Sequence, residues 1–246
     1  MENIKELYNI FNKIKIQGWI EGTIKGYCDV GKTFEKMVNI EQNNFEIPDY
    51  NGIEIKTKRS TINLYTTLFN CKPDGPYYME TERLKDEYGY PDRQYKQYRV
   101  LNNTVFCNQF TSIGNRYKFK LEIDRDNKKI YLGIYTLKEQ LIEKTTYWDF
   151  DSLEEKLYRK MKILAYIHAT KKYSNGKTYF KYKSIDFYKL KSFNEFIEAL
   201  ENGKIRVTFK VGIHKKGKKF GQVYDHGTGF DIKEEDLLNL YDYITI

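Results

Sequence analysis

Cysteine is scarce in this sequence, and none of it is spaced for metal binding. The three cysteines, Cys28, Cys71 and Cys107, are widely separated and form no CxxC pair. An odd, scattered set argues against a disulfide framework and against a zinc site, and it favours reduced thiols. We therefore expect a cytoplasmic protein.

Long apolar runs are missing as well. No stretch approaches the ~18 consecutive apolar residues that mark a membrane span. The first residues, MENIKELYNIFNKI, read as an amphipathic helix without the apolar core and small-residue cleavage site of a signal peptide. We expect neither a membrane partner nor secretion.

What remains is the composition of an ordinary globular protein. With 246 residues, 40% apolar and 31% charged, the chain can bury a sizeable core. No clean linker and no internal repeat divides it. We predict a mixed α/β protein with one lobe over residues 1–150 and a second over 151–246.

Hydrophobic periodicity and turn residues predict the elements. Helices are expected at 2–15, 30–41, 151–163, 192–201 and 233–240. Extended runs are expected at 45–59, 61–69 and 178–187. Hairpins are expected at 117–136, where apolar and polar residues alternate around Asp-Asn, and in the basic segment 204–232. The Pro- and Gly-containing stretch 70–100 reads as a long surface excursion, of the kind that often carries binding function.

The segment PDYNGIEIK at 48–56 carries the chemistry. With Asn-Gly as a two-residue hairpin loop, Asp49 faces Glu54 across the turn. Directly opposed residues have Cβ atoms about 4.5–5.5 Å apart, and two carboxylates so placed repel unless a cation lies between them. Strand alternation keeps Lys56 on the same face. Three functional groups are thereby predicted to converge.

Such a group of side chains suits phosphodiester hydrolysis. Mg²⁺ prefers oxygen ligands, and we predict that Asp49, Glu54 and the carbonyl of Ile55 hold it. A bound ion polarises the phosphate and activates water, while Lys56 can orient that water and offset charge. The spacing Asp-x4-Glu-x-Lys also arises by chance in a chain rich in Glu and Lys, but the strand context and the turn favour a site. Glu35, on the preceding helix, is either an exposed glutamate or a third acidic group near the metal.

Three other features of the sequence allow more than one interpretation. Residues 26–33, GYCDVGKT, match the phosphate-binding pattern G-x4-G-K-T, but no buried apolar strand precedes them, so we interpret the match as coincidental. His168, inside an apolar run, is expected to be a core residue.

Between positions 204 and 221 the chain has no acidic residue and seven basic ones, Lys204, Arg206, Lys210, Lys215, Lys216, Lys218 and Lys219. These form either a lysine-protected edge hairpin or a phosphate-contacting surface.

Five segments resemble the MvaI–BcnI family of type II restriction endonucleases, relatives of the mismatch-repair nickase MutH. They are GKTFE (31–35), PDYNGIEIKT (48–57), YWDFDSL (147–153), ENGKI (201–205) and DHGTGF (225–230). The resemblance implies a PD-(D/E)xK core with a second, DNA-recognition lobe, in a monomer that grips double-stranded DNA. It implies Mg²⁺-dependent cutting of short GC-containing sites, one strand at a time. Asp49, Glu54 and Lys56 take the family's catalytic positions, and Glu35 that of its helix glutamate.

The resemblance also makes 206–231 the major-groove reader. The residues expected to bind DNA there are Lys210, His214, Lys216, Tyr224, Asp225, His226 and Asp231. Lys210 could contact the O6 and N7 atoms of guanine, a task that arginine performs better. The MvaI branch carries arginine at positions 210 and 231 and histidine at 224, so we expect a target other than its CCWGG. For His226 a purely hairpin-stabilising role stays open, and residues 70–100 could reach the minor groove.

Four functions are therefore compared. A sequence-specific double-strand endonuclease leads. A MutH-like nickase would not linearise plasmid by itself, a non-catalytic basic nucleic-acid-binding protein would ignore Mg²⁺ and the change Asp49→Ala, and a P-loop NTPase would lose nucleotide binding with Lys32→Ala.

Overall fold

The computed structural model describes residues 1–23, 29–40, 47–59 and 65–246. It divides the chain into two compact units. Unit 1 comprises Met1–Leu64, Lys156–Lys191 and Leu237–Ile246, and unit 2 comprises Tyr65–Glu155 and Ser192–Asp236. Both units are discontinuous in sequence, whereas our predicted lobes were the continuous ranges 1–150 and 151–246. The assignment of catalysis and recognition to separate lobes stays a prediction.

The elements follow one another in a mixed α/β order. The helices are α1 (Glu2–Lys15), α2 (Asp29–Met37), α3 (Glu80–Tyr88), α4 (Phe150–Lys160), α5 (Phe193–Glu201) and α6 (Leu237–Leu240). The strands are β1 (Ile20–Glu21), β2 (Glu54–Arg59), β3 (Tyr65–Asn70), β4 (Tyr90–Pro91), β5 (Arg99–Val105), β6 (Thr111–Ile113), β7 (Tyr117–Asp124), β8 (Lys129–Thr136), β9 (Leu141–Glu143), β10 (Tyr147–Asp149), β11 (Ile163–Ser174), β12 (Lys177–Leu190), β13 (Ile205–Ile213), β14 (Val223–Asp225), β15 (Gly229–Lys233) and β16 (Tyr241–Ile244). Short 3₁₀ turns occupy Gly217–Lys219 and Glu234–Asp236. No helix in the described part of the chain has the length and apolarity to cross a bilayer.

Unit 1 is built on one sheet covered by α1 and α2. The strand order is β1-β12-β11-β2, with β16 also paired to β12. The apolar face of α1 is buried as its spacing predicted, and it packs in one core with α2 and β12. Phe34 of α2 lies edge-on to Tyr182 of β12, with ring centroids 5.2 Å apart. Burial of this face supplies most of the helix stability in such an element.

The second helix ends earlier than we predicted. We expected it to continue to residue 41, and it ends at Met37. Asn39 adopts the left-handed conformation with φ 59°, which an α-helix cannot continue through. The N–H of Ile40 donates to the carbonyl of Glu35 and closes the turn. Residue 41 itself lies outside the described residues, as do 45–46 and 61–64 of the predicted extended runs.

Strand β2 pairs in parallel with β11, and this pairing positions the site. Glu54 is in register with Leu164, and Lys56 with Tyr166. The preceding residues Ile163 and Lys162 continue back to the C-terminal end of α4. The parallel pairing therefore brings that helix end close to Glu54, although the two are far apart in sequence.

Unit 2 contains two sheets. One runs β10-β8-β7-β6 with β9 beside β8, and the other runs β3-β15-β13-β5-β4 with β14 beside β13. The predicted hairpin at 117–136 is confirmed as β7 and β8. In β13 every second side chain is buried, from Ile205 to Ile213, so the alternate residues form a polar face. That polar face carries Lys210, one of the residues expected to read DNA, and β15, which carries Asp231, pairs with β13.

Four local predictions were wrong. Residues 70–100 contain α3, which buries Leu84 beside the polar Glu80 and Lys85, so its apolar periodicity was too weak to reveal it. The basic segment 204–232 is three strands, because β13 pairs with both β14 and β15. The chain does not end on an acidic helix; β16 follows α6 and extends the sheet of unit 1. His168 is partly exposed, with Nε2 3.9 Å from Asp186, and so is not a core residue.

Candidate active site

A tight turn at Asn51 and Gly52 organises the site. Tyr50 and Ile53 exchange backbone hydrogen bonds of 2.9 and 2.7 Å, which close a two-residue loop. Asn51 has φ 42° and Gly52 has φ 85°, the pair of positive values that a type I′ turn requires. The predicted hairpin turn is therefore confirmed, and it places Asp49 and Glu54 on either side of the loop.

Asp49 lies against the backbone of β2. Its Oδ2 atom accepts a hydrogen bond of 2.9 Å from the backbone N–H of Ile55. The N–H and C=O of one residue in an extended strand point to the same side, so the Ile55 carbonyl is also on the Asp49 side of β2. This bond fixes the carboxylate of Asp49 relative to β2.

Glu54 is the most deeply buried acid of this group, with 1% of the residue exposed. Burial raises its pKa above the usual value, Lys56 lowers it, the charge of Asp49 raises it again and Lys160 lowers it. Its Oε2 atom is buried without a hydrogen-bond partner among the residues that the structure describes. An ionised, buried carboxylate oxygen left in this state is costly unless a cation approaches it.

Two ammonium groups share the other oxygen of Glu54. Lys56 donates to Oε1 at 2.6 Å, and Nζ of Lys160 lies 3.5 Å from the same atom. Both lysine side chains are about one-fifth to one-quarter exposed, at 20% and 25%, so they remain open to solvent or substrate. Lys160 was missed by sequence reasoning, because only the pairing of β2 with β11 brings the end of α4 here.

Glu35 and Tyr241 belong to two other elements, α2 and β16. An added Cβ on Gly31 would be 3.1 Å from Oγ1 of Thr57 on β2 and 3.6 Å from Oε1 of Glu35, so this turn of α2 faces β2. Tyr241 is fully buried, and both its burial and the charge of Glu54 raise its pKa. Its hydroxyl, like Oε2 of Glu54, has no hydrogen-bond partner in the described part of the chain. A tyrosine near the C-terminus gave no sequence signal of this proximity.

The residues fit a metal ion with two protein carboxylates. No group of three or more His, Cys, Asp or Glu side chains suited to a metal occurs within 1–23, 29–40, 47–59 and 65–246. The unpartnered Oε2 of Glu54, beside the charge of Asp49, is nevertheless the kind of oxygen that a hard divalent ion takes. Mg²⁺ commonly uses one or two carboxylates and keeps several waters. The pair therefore suits such an ion without a third acid.

The competing phosphate-binding pattern receives no support from the fold. Its first half, residues 26–28, lies outside the described residues. Its second half, Gly31 to Thr33, lies inside α2, where Oγ1 of Thr33 donates to the carbonyl of Asp29. A P-loop threonine needs that hydroxyl for a metal ion.

On the polar face of β13, Asp231 occupies the centre of a hydrogen-bond network. It is 4% exposed, and its two oxygens accept from Thr67 and Thr208 at 2.6 Å each. Nε of Arg206 lies 3.5 Å from Oδ2. Lys210 donates to Oγ1 of Thr67 at 3.4 Å. Asp231 and Lys210 are thus linked through the hydroxyl of Thr67.

The other expected DNA contacts cluster at one end of this face. The rings of His214 and His226 both contact the ring of Tyr224, with centroid distances of 4.5 and 4.0 Å. Asp225 accepts from Thr81 at 3.0 Å and from the N–H of Gly227 at 2.7 Å, so its carboxylate stabilises the turn after β14.

The basic segment separates into paired and unpaired lysines. Lys204 pairs with Asp236 at 3.0 Å, and Lys215 with the buried Asp92 at 2.7 Å. The hydrogen bond from Lys215 lowers the pKa of Asp92. Exposed lysines that form no ion pair with any described residue complete the segment; they are Lys216, Lys218 and Lys219.

Comparison with known proteins assigns these features to one family. The model of the MvaI/BcnI restriction endonuclease family matches residues 8–241. The chain belongs to the MvaI/BcnI restriction endonuclease family. The match spans the turn, the carboxylates, the lysines and the polar face of β13. The family predicted from the five segments is confirmed.

Solved structures agree with this membership. A complex of the restriction endonuclease MvaI with its cognate DNA substrate is 33% identical in sequence, with a TM-score of 0.92 over 99% of this chain and 98% of that chain. Restriction endonuclease MvaI without DNA is 32% identical, with a TM-score of 0.64 over 99% of this chain and 97% of that chain. No curated protein matches the chain.

Family and fold together define the activity. The chain is a type II restriction endonuclease, a site-specific deoxyribonuclease that binds DNA, with the mixed α/β fold predicted. Restriction endonucleases of this kind typically use a divalent metal ion. The leading function from the sequence is confirmed at this level, and the non-catalytic and NTPase alternatives are set aside.

Proposed function

We propose that this restriction endonuclease cuts both strands of double-stranded DNA at a short GC-containing site, using Mg²⁺ held by Asp49, Glu54 and the carbonyl of Ile55. The observation that carries the proposal is the buried, unpartnered Oε2 of Glu54 next to the charge of Asp49. Mg²⁺ bound there would supply electrophilic stabilisation of the phosphate and a more acidic water.

The chain's own groups have separate tasks. Asp49 is oriented by the N–H of Ile55, which keeps its second oxygen available. Lys56 is held 2.6 Å from Oε1 of Glu54, and from there its ammonium orients the attacking water and offsets charge on the phosphate. Glu35 on α2 acts as the third acid of the catalytic group by tethering a water on the α2 side of β2.

Recognition is proposed for the polar face of β13 and the segment that follows. Lys210, His214, Tyr224, Asp225 and His226 would contact base edges. Lys210 suits guanine, whose O6 and N7 both accept hydrogen bonds in the major groove. The exposed Lys216 would contact phosphate, which contributes affinity without sequence information.

The protein is proposed to act as a monomer in the cytoplasm. One chain would then make its two cuts in successive events. Light scattering of the enzyme with and without a cognate duplex tests the monomer, since a stable dimer doubles the mass.

The test of function is a plasmid digest with Mg²⁺, followed by run-off sequencing of the ends. Linear product with one recurrent end sequence supports the proposal, and the end sequence reveals the GC content of the site. Accumulation of nicked circles alone would instead favour a MutH-like nickase. The variant Asp49→Asn in the same digest tests the metal ligands, because Asn retains an acceptor for Ile55 and lacks the charge.

A further inference from the structure

We infer that Asp231 does not contact DNA itself but positions Lys210 through Thr67, so that the pair Asp231–Thr67 determines how strictly Lys210 selects a guanine. The inference rests on the proposed reading role of the β13 face. It assigns Asp231 and Thr67 as positioning residues for specificity.

The direction of the hydrogen bonds follows from the chemistry of a hydroxyl. Thr67 donates its single proton to Oδ1 of Asp231 at 2.6 Å, since an ionised carboxylate can only accept. Its lone pairs then face the donor Nζ of Lys210 at 3.4 Å. Asp231 therefore sets the orientation of Thr67, and Thr67 restrains the ammonium of Lys210.

Asp231 itself is not free to read a base. Only 4% of it is exposed, and its second oxygen accepts from Thr208 at 2.6 Å. The guanidinium of Arg206 lies 3.5 Å from the same oxygen and 3.5 Å above the ring of Tyr65. Arg206 is thereby held by Asp231 and Tyr65, which leaves Lys210 as the cation on this part of the face with donors available to DNA.

Gly229 leaves the space that the ammonium of Lys210 uses. An added Cβ at Gly229 would lie 3.0 Å from Nζ of Lys210 and 3.0 Å from Oδ1 of Asp231. Gly229 is in register with Thr208 on β13, directly beside the network. The glycine, the threonine and the aspartate together define one position for Nζ.

A fixed, half-buried lysine suits a base edge better than a phosphate. An ammonium has three donors, and the contact with Thr67 uses one. Guanine offers two acceptors in the major groove, whereas cytosine offers an N4 donor that an ammonium cannot pair with. A phosphate contact needs no such restraint, because charge alone attracts it.

The experiment measures binding to duplexes in which single guanines are replaced by 7-deazaguanine, which removes the N7 acceptor and keeps base pairing. The duplex sequence comes from the digest or, if the enzyme does not cut, from selection of bound duplexes out of a random pool in EDTA. Failure of the cleavage proposal and failure of this inference are thereby separate results.

For the wild type we expect one guanine at which the replacement weakens binding about tenfold, the size of one good base contact. Lys210→Met should be indifferent to replacement of that guanine. Asp231→Asn, Thr67→Val and Gly229→Ala should each reduce the loss to about threefold or less. Binding to unrelated duplexes should be unchanged for Thr67→Val and Gly229→Ala, and equal or higher for Asp231→Asn, which loses a negative charge. Thr136→Val is the matched control: its hydroxyl accepts from the N–H of Gln140 in a turn after β8, and the full loss should remain.

Three outcomes would overturn the inference. Lys210→Met could remain sensitive to the same guanine, Thr67→Val could keep the full wild-type loss, or Lys210→Met could weaken all duplexes equally with a smaller salt dependence, which marks a phosphate contact. Circular dichroism and thermal melts establish that each variant is folded. If Asp231→Asn fails to fold, Thr67→Val and Gly229→Ala decide the question.

Discussion

The ammonium of Lys160 lies 3.5 Å from the same Glu54 oxygen that accepts the hydrogen bond of Lys56. Two cations thus offset one buried carboxylate, although Lys56 lies two positions from Glu54 and Lys160 ends a helix in a later part of the chain. The two lysines differ in where they lie. Lys56 is on β2 with Glu54, whereas Lys160 approaches Glu54 from the C-terminal end of α4.

Replacing Lys160 with Met should lower cleavage about tenfold and shift the pH–rate profile to higher pH. The charge of Lys160 lowers the pKa of Glu54, so its loss favours the protonated form, which is a poor metal ligand. Cleavage rates from pH 6 to 9 at saturating Mg²⁺ measure the shift. Lys162→Met, on an exposed lysine two residues away, serves as the control and should leave the profile in place. An unshifted profile for Lys160→Met would show that Lys160 does not act through Glu54.

Glu54→Gln should abolish cleavage and stabilise the metal-free protein at neutral pH. The folded state raises the pKa of Glu54, so folding favours its protonated form. Stability from this group is fully present below its unfolded pKa near 4.5 and is lost as pH rises through the higher folded pKa. Gln does not ionise, so the variant does not lose this stability. The Tm of the variant minus that of the wild type, both in EDTA, should therefore grow with pH, by about 2–4 °C for each ~1 kcal/mol of stability. A constant difference from pH 4 to 8 would contradict the assignment.

Asp49→Asn should reduce cleavage by about 10²–10³-fold or more while leaving binding intact. Asn can still accept from the N–H of Ile55, so the local structure is kept and only the charge is removed. Removing a negative charge near the phosphate should leave duplex affinity in EDTA equal or higher. Asp49→Ala removes both the charge and the acceptor, and it should also lower Tm. Retained cleavage by Asp49→Asn would refute the metal site.

Gly52→Ala should lower both stability and activity. Its φ of 85° is strained for any residue with a side chain, at a cost of about 1 kcal/mol. Gly18, with φ 75°, would be strained in the same way by a side chain. No atom lies within 4 Å of a Cβ added there, and Gly18 lies away from the site. Gly18→Ala should therefore match the loss in unfolding free energy but retain full cleavage. Equal activity of the two variants would mean that the Asn51–Gly52 turn does not set the geometry of Asp49 and Glu54.

Neutralising the three unpaired lysines should flatten the salt dependence of DNA binding. Each phosphate contact contributes about 0.9 to the slope of log K against log salt, so three Lys→Gln changes should lower the slope by up to ~2.7. The changes are made together at Lys216, Lys218 and Lys219. A triple Lys→Gln variant on the exposed side of α1 is the control, at Lys5, Lys13 and Lys15. Equal slopes in the two triple variants would exclude a phosphate-contacting role.

Sequence reasoning succeeded where chemistry is local. The Asn-Gly turn, the hairpin of β7 and β8 and the apolar face of α1 each depend on neighbouring residues, and each was predicted. Lys160 and Tyr241 near Glu54 depend on the pairing of distant strands, which periodicity does not encode. The helix α3 was missed for another reason: it is stabilised by ion pairs, with Arg83 2.5 Å from both Glu80 and Glu143, and not by an apolar stripe.

Asp231 shows why the position of a residue in the sequence does not reveal its role. The resemblance marked it as a DNA contact, and the structure encloses it with two threonine hydroxyls. No single-residue property separates a base contact from a buried acceptor. Only the register of β15 with β3 and β13 reveals which neighbours its oxygens meet.

The parallel pairing of β2 with β11 also has a consequence during synthesis. A nascent chain that has emerged only as far as α3 already contains Asp49, Glu54 and Lys56 but none of β11. Without that strand Glu54 is not enclosed, and the acidic pair stays in water, where it attracts a metal weakly. The enclosed carboxylate pair is therefore expected to form only after β11 has been synthesised, because β11 is the strand that pairs with β2.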